Sequence, residues 1–208
     1  YYIAGLKAYY HFTDYLELGL VVANGWQNLQ RLPGTNQLGY GLHLHYNVPD
    51  DIEISLSNYS FNDGPDSTEW TVYNEAFIQK HLGKRLHLLG GVSYAFVPNS
   101  ETVTIATFIS QYKLTEQWAI AGRIEYINDP SRSFYTASNP SEEIRVTGFS
   151  ANLDYQPTDK FKFRVEGRLF SSSSDLYRDD KNFEPSIGNV AFINNAANIL
   201  FTAQIKID

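Results

Sequence analysis

Eleven stretches of about ten residues alternate apolar and polar side chains, and the connections between them are short, then long, then short again along the chain. Successive side chains of a strand point to opposite faces, so each stretch builds one apolar and one polar surface. From Leu38 to Val48, one face carries Leu38, Tyr40, Leu42, Leu44, Tyr46 and Val48, the other Gly39, Gly41, His43, His45 and Asn47. From Phe161 to Leu169, Phe161, Phe163, Val165 and Leu169 oppose Lys162, Arg164, Glu166 and Arg168. Four successive charges need water or counter-charges, and the opposite face needs an apolar medium. Strands of roughly ten residues with this dyad period are what a transmembrane β-barrel requires.

The strands are expected at Tyr2 to Phe12, Leu16 to Trp26, Leu38 to Val48, Ile52 to Phe61, Trp70 to Leu82, Leu86 to Phe96, Val103 to Leu114, Trp118 to Ile127, Arg145 to Tyr155, Phe161 to Phe170 and Asn198 to Ile207. Trp70 to Leu82 and Val103 to Leu114 are apolar on both faces, which predicts a bulge or a shifted register there. Five short turns, at Phe12 to Leu16, Val48 to Ile52, Leu82 to Leu86, Leu114 to Trp118 and Pro157 to Phe161, recur with the length of one hairpin plus one long loop. The long connections are Gln27 to Asn36, Asn62 to Glu69, Pro98 to Glu101, Asn128 to Glu143 and Ser171 to Asn195. Short turns on one rim and long loops on the other mark the periplasmic and extracellular ends of an outer-membrane barrel. All 208 residues read as a single transmembrane domain.

Strand direction adds an expectation. The first and last strands both run from the long-loop rim toward the short-turn rim, so their number is odd, whereas single-chain bacterial barrels are even. The full barrel is therefore expected to have 12 or more strands, at least one preceding Tyr1. No signal peptide opens the chain and it contains no Met, so Tyr1 is read as lying downstream of the translation start.

Composition narrows the class. Mean hydropathy is −0.32, which hides a barrel because half of every strand is polar. No run approaches the ~18 apolar residues of a membrane-spanning helix. The net charge of −7 argues against nucleic acid as a partner, since phosphate binding demands clustered Lys and Arg. The absence of Cys excludes disulfides and thiolate metal sites.

Rings fall where membrane interfaces should be. Tyr10, Phe12, Tyr46, Trp118, Tyr155 and Phe161 flank the short turns, and Trp26, Trp70, Tyr94 and Tyr126 lie near the long loops, giving two expected aromatic belts. Strands are also rich in rings for ordinary packing reasons. The polar face holds Lys7, Glu17, His43, His45, Glu53, His87, Arg123, Glu125, Asp154, Lys162, Arg164, Glu166, Arg168 and Lys206 as candidate pore-lining residues. This face reads either as a charged constriction that selects solutes by size and field or as a salt-bridged plug in a narrow barrel.

Leu16 to Gln30, with its Asn24-Gly25-Trp26 element, and Leu153 to Ser171, with the Asp154 to Lys160 turn and the Arg164 to Phe170 strand, resemble the OmpL-like outer-membrane beta-barrel porin-2 family. The resemblance spans the chain as a C-terminal portion of such a barrel. It implies a Gram-negative outer-membrane location, passive diffusion of small hydrophilic solutes, and no catalytic residue to carry over.

Other chemistries leave fainter traces. Barrel hydrolases need a Ser-His pair with an orienting group, and Ser55 and Ser57 near His43 and His45 stand in no such motif. His43 and His45 lack a third ligand for a metal, and Asp63 to Asp66 and Asp175 to Asp180 lack the spacing of a calcium loop, so neither an enzyme nor a cofactor is expected. The partners expected are outer-membrane lipid, small hydrophilic solutes and other envelope proteins. Two rival classes remain: a non-conducting barrel serving as an adhesin or envelope-complex subunit, and a soluble lipocalin-type barrel, whose outward stripes should be polar.

Overall fold

The computed structural model describes residues 4–30, 34, 37–62, 69–135, 143–178 and 192–206. They form β1 (Gly5–His11), β2 (Leu16–Ala23), β3 (Gly39–Val48), β4 (Ile52–Phe61), β5 (Thr71–Leu82), β6 (Leu86–Phe96), β7 (Val103–Lys113), β8 (Trp118–Asp129), β9 (Ile144–Thr158), β10 (Phe161–Ser172), the short β11 (Tyr177–Arg178) and β12 (Phe192–Ile193), and β13 (Asn195–Ile205). Eleven strands make one antiparallel sheet in the order β1-β2-β3-β4-β5-β6-β7-β8-β9-β10-β13, and β11 pairs with β12 apart from it. Sequential neighbours joined by tight turns are the cheapest antiparallel solution, because no crossover is needed. Among the described residues there is no helix.

The described chain packs as two units, Tyr1–Lys80 with Gly90–Thr104, and His81–Leu89 with Ile105–Asp208. In the first, β1 to β5 pair without a register break, from Tyr10↔Leu18 and Leu18↔Leu44 to Leu44↔Leu56 and Ile54↔Ile78. Ten successive pairs join β4 to β5, so the irregularity expected at Trp70 to Leu82 is absent from that ladder. A register shift lies in the second unit, between Phe161 and Phe163 against β9. There β9 runs on through Pro157 to Thr158, and a residue with no N–H to donate sits where the ladder is interrupted. Gly83, at φ +67°, makes the β5–β6 turn possible, since a Cβ is strained in that region.

The exposure pattern is inverted. Leu42 is 53% exposed, Ile124 51%, Phe163 47% and Leu169 60%, whereas Ser55 and Asp154 are 3% and Glu166 7% exposed. Buried hydrophobic residues among those described are few: Ala23, Tyr59, Phe61, Ala95, Val103 and Ile144. A water-soluble fold hides its large apolar side chains, and this one exposes them in stripes along one face of its strands. That is the arrangement of a sheet whose outer solvent is hydrocarbon.

The expected strand ends at Tyr2 and Ile207 lie outside the described residues, as does the 63–66 acidic stretch. β2 ends at Ala23 rather than Trp26, and β13 begins at Asn195.

Candidate functional site: the polar faces of the sheet

In the first unit, register alone gathers the predicted residues. His11 pairs with Glu17, Glu17 with His45, and Asn47 with Glu53. Their side chains connect, His11 Nε2 to Glu17 at 3.2 Å and His45 Nε2 to Glu53 at 3.1 Å. One rung farther from the short turns, His43 Nδ1 and Ser57 Oγ are 2.9 Å apart, and the His43 and His45 rings stack at 5.9 Å. Lys7 lies on the same face by register and is exposed. Glu75 accepts from Tyr73 at 3.1 Å and from Ser93 at 3.3 Å. The Ser57–His43 contact is a pair without a third member: among the described residues no carboxylate is hydrogen-bonded to His43.

The same face turns aromatic toward the long loops. Trp26 stacks on Phe61 at 5.4 Å and contacts Tyr59 and Tyr73, and the Tyr59 hydroxyl donates to the Gly25 carbonyl at 3.0 Å. Gly39 leaves the room Tyr59 needs, since a Cβ there would collide with the phenol. Trp26, expected in an interface belt, is thus on the opposite side of the sheet. Even positions of β2 face outward, but φ is +115° at Gly25 and +56° at Gln27, so the alternation ends before Trp26 and the chain turns inward.

The second unit holds the charged ladder. Asp154, on β9, accepts from Arg164 Nε at 2.6 Å and Nη2 at 2.9 Å, from Lys162 at 2.9 Å and from Asn152 at 2.9 Å. Glu166 takes Arg168 in the same bidentate way, at 2.9 and 3.0 Å. The cause is local: Arg164 faces Asp154 directly across β9–β10, while Arg168 reaches back two residues along its own strand to Glu166. Charge-assisted forks are about twice as strong as neutral hydrogen bonds, and stripping one partner from a buried pair costs about 3 kcal/mol or more. Arg123 lies between two carboxylates, with Nε 3.6 Å from Glu125 and Nη2 3.8 Å from Glu166. Glu125 lies flat over Gly148, where any side chain would displace it. His87 stacks face to face on His81, at 4.2 Å and 5°. Lys206, at the end of β13, is exposed, and its N–H bonds the Lys160 carbonyl at 2.9 Å.

In the short β11, apart from the main sheet, Tyr177 rests against Phe170 at 6.2 Å. Burial, and then the Glu125 carboxylate, raise its hydroxyl pKa above the ordinary tyrosine value.

The apolar face carries the other predicted rings. Tyr10 meets Phe12 edge-on at 4.9 Å, Tyr94 meets Phe96 at 5.5 Å, Tyr40 stacks on Trp70 at 6.1 Å and Trp118 on Tyr155 at 4.4 Å. Tyr46, Tyr126 and Phe161 are also outward and exposed.

Several participants, His81 among them, were not singled out from the sequence as site residues, although His81's partner His87 was. His81 and His87 flank the Gly83 to Arg85 turn symmetrically, which was the available signal for their contact. Gln111, which lines a cavity with His87 and Arg123, lies on a strand whose two apolar faces obscure the alternation, and the Tyr59, Phe61 and Tyr73 cluster needed the inward turn at Gly25.

An antiparallel sheet with apolar side chains on one face and paired charges on the other is the pattern of membrane β-barrels. The chain matches the family described as putative beta-barrel porin-2, OmpL-like, over residues 1–205, and it belongs to that family of outer-membrane β-barrel porins. No individual curated protein matches it.

Proposed function

We propose that the protein is an outer-membrane pore for passive diffusion of small hydrophilic solutes, with the polar faces of its strands lining the aqueous path. The reversal of exposure carries this reading: large apolar side chains lie outside while Asp154 and Glu166 are buried among cations. Lys7, Glu17, His43, His45, Glu53 and the Lys162 to Arg168 ladder then face solute, and the Tyr10, Tyr46, Trp70, Trp118 and Tyr155 rings meet lipid at its interfaces. The role is read as non-catalytic from membership of a porin family.

A plugged, non-conducting barrel acting as an adhesin or envelope-complex subunit is the second reading. The Trp26, Tyr59, Phe61 and Tyr73 rings packed on the polar side favour it. Reversal potentials in planar bilayers under a salt gradient decide between them. The protein should conduct, and Arg164→Glu with Arg168→Glu should move its preference from anions toward cations. A folded protein without conductance would establish the plugged barrel.

A further inference from the structure

A cavity of about 250 Å³ opens on the polar face of the second unit, lined in part by His87, Gln111, Arg123, Asn152, Arg164 and Glu166. Its hydrogen bonding is lopsided. Two of the carboxylates around it are committed, Asp154 to Arg164, Lys162 and Asn152, and Glu166 to both nitrogens of the Arg168 fork. Arg123 Nε and His87 Nε2 are not: both are shielded from solvent and have no hydrogen-bond partner among the described residues, and His87 Nε2 donates in the tautomer that carries its proton there. Arg123's two nearest carboxylates, at 3.6 and 3.8 Å, lie beyond the usual 2.7–3.2 Å of a hydrogen bond. The surrounding charges are four cations, Arg123, Lys162, Arg164 and Arg168, against Glu125, Asp154 and Glu166. A space with unspent donors and a positive surplus is complementary to an acceptor-rich anion.

We propose that this cavity is a binding subsite for small carboxylates, with Arg123 as the principal anchor and His87 Nε2 as a second donor. The volume is below the roughly 300–1,000 Å³ of drug-sized pockets, which limits the solute to a short-chain mono- or dicarboxylate. Arg164 contributes charge but keeps its fork on Asp154. The proposal rests on the polar face being the solute path, and makes that path selective for these acids.

The probe is succinate, with its uncharged diamide as control, titrated calorimetrically at low ionic strength into the detergent-solubilised full protein. Succinate should bind at least about tenfold more tightly than the diamide, and Arg123→Gln should weaken it by about tenfold or more. Arg145→Gln, at a rim arginine paired with Glu143, should leave succinate binding unchanged. His87→Phe, which fills similar space without a donor, should weaken it by about threefold and serves where Arg123→Gln does not fold. Equal binding of the two probes, no succinate binding, or unaltered affinity in the Arg123 and His87 variants would overturn the subsite. Bilayer conductance separates the two readings. A conducting protein that ignores succinate defeats the subsite alone, whereas a silent protein that binds succinate through Arg123 retains the site and defeats the path.

Discussion

At Asp129 three backbone N–H groups converge on one carboxylate, from Ser133 at 2.7 Å, Phe134 at 2.8 Å and Tyr135 at 2.9 Å. The side chain is fully buried where β8 enters a long loop, so it shapes that loop as a capping carboxylate shapes a helix start. Hydrogen bonds to a charged group contribute about 1.5–3 kcal/mol each, and orphaned buried donors cost comparably. Asp129→Ala should therefore release the loop while leaving β8 paired to β9. Amide exchange at Ser133, Phe134 and Tyr135 should accelerate by at least about tenfold for a loss of ~1.4 kcal/mol or more, and unchanged protection would remove Asp129 from this role. The ladder is a different residue-scale case. Its charges were legible in Lys162, Arg164, Glu166 and Arg168 because they alternate without interruption, but the partner each chooses depends on the β9–β10 register. The loose seating of Arg123 depends further on Glu125 lying across Gly148, which no spacing within β8 reveals.

From β2 to β10 the first strand residue stands at or within one residue of its sequence-based expectation, even in β5 and β7 where both faces are apolar, because the turn residues ahead of each strand mark its start. The β9 end was missed since Pro157 reads as a turn former, yet at an interrupted rung its missing N–H costs the ladder little. The β11–β12 ribbon, two residues on each side, is too short to show a period. Trp26 was misplaced for a related reason, as parity extrapolates only while the backbone stays extended, and it leaves that conformation at Gly25. The three tryptophans thus provide a test at the level of elements. Single-tryptophan proteins reconstituted in lipids with brominated acyl chains should be quenched when only Trp70 or Trp118 remains, because these stack on outward Tyr40 and Tyr155. A protein retaining only Trp26 should fluoresce almost unquenched, and strong quenching of it would return that ring to the interface belt.

Across the whole molecule, one physical rule organises both units: each strand divides its side chains between two solvents. The rule was visible in the sequence as an alternation that mean hydropathy averages away. The tightness of the interior was not visible, because it depends on which charges meet and on rings brought in by loop backbone. The absence of Cys allows the rule to be tested at single positions against a silent background. Cysteines placed one at a time along β10 should alternate when a membrane-impermeant thiol reagent is added to conducting protein in a planar bilayer. Lys162→Cys, Arg164→Cys and Arg168→Cys should lose current on modification, whereas Phe163→Cys, Val165→Cys and Leu169→Cys should not. Loss of current at both sets, at neither, or at the apolar set alone would contradict the assignment of the charged face to the pore.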